Sequence, residues 1–359
     1  MTRKERLRRC YFSEKLDRPA VYIRNGFPDN DSTYDHLKTY LDKYTELKFD
    51  WSYTNFEENQ IIQQKIEPYS EDFERLITIL KTPKGNLESS YLRSLKGLPG
   101  LHETFLLKEK NDVAKYLSLP LPKLSGNCNS YFQLQDKIGE SGIVSTGLGL
   151  NPAGFVAELF GSENFAVFSI LERELIHELC ERQMGIIINR VKYMIKNGIG
   201  PFFAMLGEEY IVPPLHGPDD FYEFNVKYDK PIIDIIHDAG GRIHIHSHGS
   251  IKKVIQGFID MGTDVLHPFE GPPMGDITPQ EAKAISRNKM CLEGNIQINR
   301  FYENSSEEII AETQELIKNV FDDKNGLIVS ATASPFIRGE GEKCFNQFKA
   351  MIDVVTNWK

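Results

Sequence analysis

Gly240-Gly241-Arg242-Ile243-His244-Ile245-His246-Ser247-His248-Gly249 reads as a short strand running into a polar loop. Successive side chains on a strand point to opposite faces, so Ile243 and Ile245 share one face while His244, His246 and His248 share the other. The apolar face suits packing against a helix layer. The opposite face suits either hydrogen-bonded interior histidines or a metal, because neutral imidazole is the commonest protein ligand for one. An H-x-H pair at a strand end, followed by Gly, favours the metal.

Outward from this strand the same rhythm repeats. Short strands at 143–148, 201–206, 242–246, 264–267, 290–292 and 327–330 alternate with helices at 172–196, 218–239, 251–261, 279–287, 306–320 and 342–355. That alternation means βαβ units and a parallel sheet, which either stays open or closes into a (β/α)8 barrel. No G-x-G-x-x-G follows an early strand, which disfavours an open dinucleotide-binding sheet. Polar residues gather where successive strands end: Glu208-Glu209-Tyr210, then His246 and His248, then His267 and Glu270, then Glu293-Gly294-Asn295. In a barrel those ends converge on one mouth, where active sites sit. The expected fold is therefore a (β/α)8 TIM barrel in a single domain over residues 1–359. Residues 126–359 supply the regular βα units, and 1–125 form an irregular helical and loop cover over the mouth. Within that cover the sequence predicts a strand at 18–24, a helix at 34–47, a turn at 82–87 between two short strands, and a helix at 113–117.

Composition narrows the class. The chain has 359 residues, of which 26% are charged and 40% hydrophobic, with a formal net charge of −9. These are ordinary values for a globular protein, and the negative charge argues against nucleic acid or an anionic membrane as the main partner. No apolar run approaches the roughly 18 residues of a membrane span, and the basic start Met1–Arg9 is not followed by a signal-peptide core. The five cysteines (Cys10, Cys128, Cys180, Cys291, Cys344) are scattered without a C-x-x-C pair, so neither a disulfide framework nor a zinc ribbon is expected. A cytoplasmic location is expected.

Three strand ends offer a metal site. His246 and His248 come from one strand, and Glu270 follows the next in His267-Pro268-Phe269-Glu270-Gly271. Two histidines and a carboxylate with open positions suit a catalytic divalent metal such as zinc or iron. The alternative for Glu270 is a helix-capping or rim carboxylate. Glu208, Glu209 and Tyr210 are the candidate catalytic residues, the two acids supplying a base or binding a cationic group, with a solvated pair as the alternative. Tyr22 and Arg24 alternate with Val21 and Ile23 on an early strand. Arg24 is placed either to clamp a substrate carboxylate or in a structural ion pair. Asn295 joins Tyr22 and Arg24 as a candidate substrate-binding residue. His244 and Asp264 are candidates for orienting the metal ligands. Thr278, with Glu281 three residues on, reads as a capping box.

These residues resemble the uroporphyrinogen decarboxylase superfamily, which includes corrinoid-dependent methyltransferases of the methylcobalamin:coenzyme M type. The resemblance is carried by Met1-Thr2-Arg3-Lys4-Glu5-Arg6 with Asp17-Arg18-Pro19, by Gly207-Glu208-Glu209-Tyr210, by His246-Ser247-His248-Gly249, by Gly262-Thr263-Asp264-Val265-Leu266-His267-Pro268, and by Glu293-Gly294-Asn295-Ile296. It implies a (β/α)8 barrel. The methyltransferase branch, like the similar barrel of cobalamin-independent methionine synthase, holds zinc through H-x-C, a Glu after the next strand and a late Cys. Here H-x-C has become His246-Ser247-His248, and Glu270 falls about where the Glu is expected. No Cys lies in Ile328–Pro335, where Thr332 is the best match. The chain thus resembles a branch with an H-x-H-G signature, and thiol methylation loses both thiolate ligands. The decarboxylase branch has M-R-Q-A-G-R where this chain has Ile23-Arg24-Asn25-Gly26-Phe27-Pro28; the first Arg matches and the second does not. A porphyrinogen with eight carboxylates needs several cations, and beyond Arg24 and Arg338 few are expected at the mouth.

The reading that follows is a metal-dependent methyl (one-carbon) transferase, with zinc as the metal and a corrinoid as the methyl donor. Uroporphyrinogen decarboxylase activity without metal and a non-catalytic corrinoid- or tetrapyrrole-binding protein are the alternatives. The expected partners are a small-molecule substrate, a corrinoid protein and a second copy of the chain.

Overall fold

The computed structural model describes residues 1–54 and 61–359; residues 55–60, within the expected cover, lie outside the described residues. Twelve strands appear among the described residues. They are β1 (Ala20–Val21), β2 (Leu47–Ser52), β3 (Ile62–Pro68), β4 (Phe73–Thr82), β5 (Gly85–Ser94), β6 (Leu101–Thr104), β7 (Gly142–Leu150), β8 (Phe202–Leu206), β9 (Arg242–His246), β10 (Val265–His267), β11 (Cys291–Ile296) and β12 (Leu327–Ala331).

Eight of these form one curled sheet in the order β1-β12-β11-β10-β9-β8-β7-β2, with every pairing parallel. Ile243 and Ile245 of β9 are fully buried in the apolar layer between sheet and helices, alongside Ile236 and Phe258. Some of the helices combine an apolar stripe with a side-chain cap. Helix Pro279–Ser286 starts at a Thr278/Glu281 capping box with Pro in its first turn, and Ser306–Val320 starts at a Ser305/Glu308 box. Among the described residues no single helix is long and apolar enough to cross a membrane.

The first 125 residues are more regular than an irregular cover. β1 and β2 belong to the parallel sheet, and β3–β6 form a separate antiparallel sheet with strands of up to ten residues. Leu80 and Leu87 of that second sheet pack into a smaller apolar cluster with Val113, Ala157 and Phe160. The helix expected to reach residue 47 stops at Tyr44, because Leu47-Lys48-Phe49-Asp50-Trp51-Ser52 alternates with period two and pairs with β7. The strand expected at 18–24 shrinks to Ala20–Val21; Pro19, just before it, has no N–H to give a ladder.

The sheet's two edges meet at Glu46. Its N–H donates to the Val21 carbonyl at 3.0 Å, and its Oε2 accepts the Val21 N–H at 2.7 Å. Oε1 accepts from Arg6 Nη1 at 2.6 Å and Arg18 Nη2 at 2.9 Å, and Arg6 in turn grips Asp17 with two bonds of 2.9 Å. Glu46 is fully buried, so removing it leaves Arg6 Nη1 and the Val21 amide without that acceptor. Removing one partner of a buried ion pair costs about 3–5 kcal/mol. Glu46→Ala is therefore expected to lower unfolding stability by about that amount in urea titrations; a loss under about 1 kcal/mol would show that the clasp is dispensable.

Candidate active site

A cavity of about 250 Å³ opens at the C-terminal ends of the parallel strands. Tyr22 and Arg24 enter it from the β1 side, Lys48 and Asp50 from β2, Ser145 from β7, His244 and His246 from β9, and Glu293 from β11. β2 and β9 contribute alternate residues because the other face of each strand packs on helices.

At the cavity floor Lys48 and Glu293 form a buried ion pair, with His244 Nε2 3.5 Å from Glu293. Burial alone would push the Glu293 carboxyl up, but Lys48, His244 and His267 outweigh it and hold the group well below the usual carboxylate range. The Lys48 ammonium also lies over the Tyr22 ring at 4.5 Å. Burial, followed by the negative charges of Asp50 and Glu293, pushes the Tyr22 phenol well up.

The histidines form a chain whose protons can be placed. His267 Nε2 lies 3.1 Å from the Ala331 carbonyl, which can only accept, so that nitrogen carries the proton. His267 Nδ1 is then a lone pair, and His246 Nδ1, 2.8 Å away, is the donor to it. Arg24 Nη1 is 2.7 and 3.0 Å from the two nitrogens of His246. Near-equal distances place it over the ring face rather than along one lone pair. Burial first, and then the neighbouring His267 and Arg24, drives His246 far below its ordinary value; burial also takes His267 well below, and lowers His244.

His248 packs edge-on against His246, with ring centroids 4.7 Å apart. It lies beyond the end of β9 and is 41% exposed at the rim. Its Nδ1 is 3.0 Å from Oε2 of Glu270, which is 3% exposed. Glu270 also accepts from the Gly249 N–H at 3.3 Å and from Gln297 Nε2 at 3.5 Å. A buried carboxylate thus holds an exposed imidazole by one nitrogen and turns Nε2 outward.

The structure sorts the sequence candidates. Tyr22, Arg24, His244 and His246 line one cavity, and His248 and Glu270 pair beside it. The three expected metal ligands are neighbours, His246 and His248 with ring centroids 4.7 Å apart and His248 against Glu270, but their hydrogen bonds run to one another and to other groups. Glu270 is taken up by His248, Gly249 and Gln297, His246 faces Arg24 and His267, and among the described residues no group of three or more His, Cys, Asp or Glu side chains could hold a metal ion. The donors left are the Nε2 atoms of His246 and His248. Asp264 cannot orient either one. It precedes β10, at the opposite end of the sheet, where it accepts from His237 and the Ile243 N–H at 2.7 Å each. Asn295 lines a different cavity, with Gln297 and Arg300. Tyr210 turns away to donate to Glu158, and Glu208 is fully buried outside the cavity lining. Glu209 is partly buried, its carboxyl raised by burial and lowered in part by nearby His248.

Sequence reading missed Lys48, Asp50 and the role of His267. Lys48 and Asp50 were legible as the alternate polar positions of a strand. His267 was legible from register, since it lies directly opposite His246.

A parallel α/β sheet with its polar cavity at the strand C-termini is the layout of an enzyme. The family model described as Uroporphyrinogen decarboxylase (URO-D) matches residues 132–351, and the chain belongs to that family. No curated protein matches the chain significantly. Among solved structures, a methyltransferase from Methanosarcina mazei is similar over 98% of this chain and 99% of that one, with 13% identity and a TM-score of 0.63, a likeness of fold. A muconate lactonizing enzyme from Pseudomonas putida aligns over 82% of this chain and 77% of its own, at 12% identity and a TM-score of 0.28, too low to carry an argument.

The buried histidines make a pH signature. A histidine held neutral in the fold but titrating near 6.5 when unfolded contributes stability that is present above that value and lost as pH falls below it. Each such group gives a slope of up to about 1.4 kcal/mol per pH unit. Urea midpoints at pH 7.5, 6.5 and 5.5 should therefore fall on acidification, and less steeply in His267→Gln than in wild type; parallel curves would show that His267 is not held neutral.

Proposed function

We propose that this chain is a one-carbon (methyl) transferase that moves a methyl group from a corrinoid protein to a small acceptor bearing a single negative charge. In this reading the curled sheet is a (β/α)8 barrel with its seam at Glu46, the cavity is the barrel mouth, and the antiparallel β3–β6 sheet is a cover beside it. The turn between β5 and β6 supports that placement, since a Cβ on Gly97 would lie 4.0 Å from Arg338 Nη2, in the loop after β12. The five cysteines are free and buried, which fits a reducing, cytoplasmic setting.

The observation that carries the reading is the charge of the cavity. Of its two cations, Lys48 is paired with Glu293, and among the described residues no carboxylate pairs with Arg24. One available guanidinium surrounded by imidazoles held neutral fits a small monoanion and poorly fits a porphyrinogen with eight carboxylates. The volume, below the roughly 300–1,000 Å³ usual for ligand pockets, points the same way.

The residues divide the work. Arg24 orients the acceptor's charge. His248, held through Nδ1 by Glu270, offers Nε2 to take the proton that the acceptor would lose as its lone pair attacks the methyl carbon, the methyl–cobalt bond of the donor breaking with its electron pair left on the corrinoid. A divalent metal on the Nε2 atoms of His246 and His248 would gain Glu270 as a third ligand only if Glu270 exchanged its bond to His248 for one to the ion. Two imidazoles alone are a weak donor set.

Methyl transfer from a methylated corrinoid to small thiol, amine and carboxylate-bearing acceptors is the assay. His248→Ala is expected to reduce kcat by about 10²–10⁴-fold, and Glu270→Gln by about 10–100-fold. Uroporphyrinogen III, assayed anaerobically, should not be turned over; turnover by wild type would reassign the chain to the decarboxylases, and corrinoid binding with no turnover of any acceptor would mark a binding protein. Elemental analysis of protein purified without chelator should find well under one zinc per chain, and a full equivalent lost in His248→Ala would restore the metal-dependent mechanism.

A further inference from the structure

Glu208 and Asp229 lie outside the cavity and have no part in the proposed transfer. Glu208 opens the turn after β8, Asp229 sits in the first turn of helix Lys227–Asp238, and both are fully buried. Two amides join them. Asn151 Nδ2 donates to Asp229 Oδ2 at 3.0 Å and to Asn225 Oδ1 at 2.9 Å, while Asn225 Nδ2 donates to the Glu208 carbonyl at 3.2 Å. Asn151 is itself fixed as the cap of helix Pro152–Phe160, its Oδ1 accepting the Gly154 N–H at 2.7 Å.

This scaffold leaves three carboxylate oxygens without a partner among the described residues: both of Glu208 and Oδ1 of Asp229. No Lys, Arg or His among the described residues pairs with either group. Ser247, just past the end of β9, is fully buried too, and its hydroxyl has no partner among the described residues.

Buried carboxylates persist only when paired, protonated or bound to a cation. Counting oxygens separates these. One shared proton joins two of the three and leaves the third bare. A water donates two hydrogens and leaves both charges in place. A cation meets all three oxygens at once and cancels the charge. Two carboxylates match a double charge, and a donor set made only of oxygen selects a hard ion. We infer that Glu208 and Asp229 hold a divalent cation of the calcium or magnesium class, a structural ion that ties the end of β8 to helix Lys227–Asp238.

The test uses the full chain. Protein purified without chelator is desalted and its calcium and magnesium are counted by mass spectrometry. It is then exchanged through EDTA, and melting is followed on adding back CaCl2 or MgCl2. About one hard cation per chain is expected, with a rise in Tm of about 5 °C at saturating ion. Both should be absent in the double variant Glu208→Gln/Asp229→Asn, which leaves His246 and His248 intact and so separates this ion from any zinc at the mouth. If the double variant does not fold, Asp229→Asn alone should halve the retained ion or worse. Wild type without a bound cation or a Tm response overturns the inference, as does an undiminished response in the variants. A variant that melts above an unresponsive wild type would assign the pair to a shared proton.

Discussion

Everything in this fold hangs on one buried carboxylate. Glu46 stands where the parallel sheet must either meet itself or fray, and it binds both edges by main chain and side chain at once. The two arginines on its other oxygen come from helix Arg3–Tyr11 and from the approach to β1, so the same group fixes the helix beneath the sheet. The position of Tyr22 and Arg24 follows directly. They continue the chain just past Val21, and their entry into the cavity depends on where Glu46 sets β1.

A second constraint is electrostatic. The cavity floor holds Lys48 against Glu293, and the net charge there is settled before any ligand arrives. Low polarizability around His244, His246 and His267 keeps them uncharged, so Arg24 presents its charge over His246 without a competing cation. Neutral imidazole also explains how so many histidines crowd together. Their contacts are those of donors and acceptors in series, anchored at the Ala331 carbonyl.

Much of this was legible in the sequence. β9 and helix Ser306–Val320 fall where periodicity put them, the Thr278/Glu281 box forms, and the alternation of Ile with His sends each to the expected face. From β7 onward the parallel sheet was readable because each strand is separated from the next by a helix. What was not readable is long-range or directional. Lys48 and Glu293 are 245 residues apart, and nothing local marks them as partners. Glu208, Glu209 and Tyr210 are consecutive, yet one is interior, one faces the rim and one turns to Glu158, because a tight turn scatters side chains that a strand would alternate. Asp264 was misplaced for a simpler reason: a residue that begins a parallel strand sits at the end opposite the mouth.

The pairing of β1 with β12 bears on how the molecule comes into being. Ala20 and Val21 find their partners at Ile328 and Val329, so the first strand made waits for the last. Synthesis at about 5–20 residues per second leaves it exposed for tens of seconds. Contact order this high makes closure slow and leaves an unpaired strand edge in the meantime. Arg6, Asp17 and Arg18 crowd that edge with charge, and charged side chains are what discourage a nascent strand from pairing with the wrong chain.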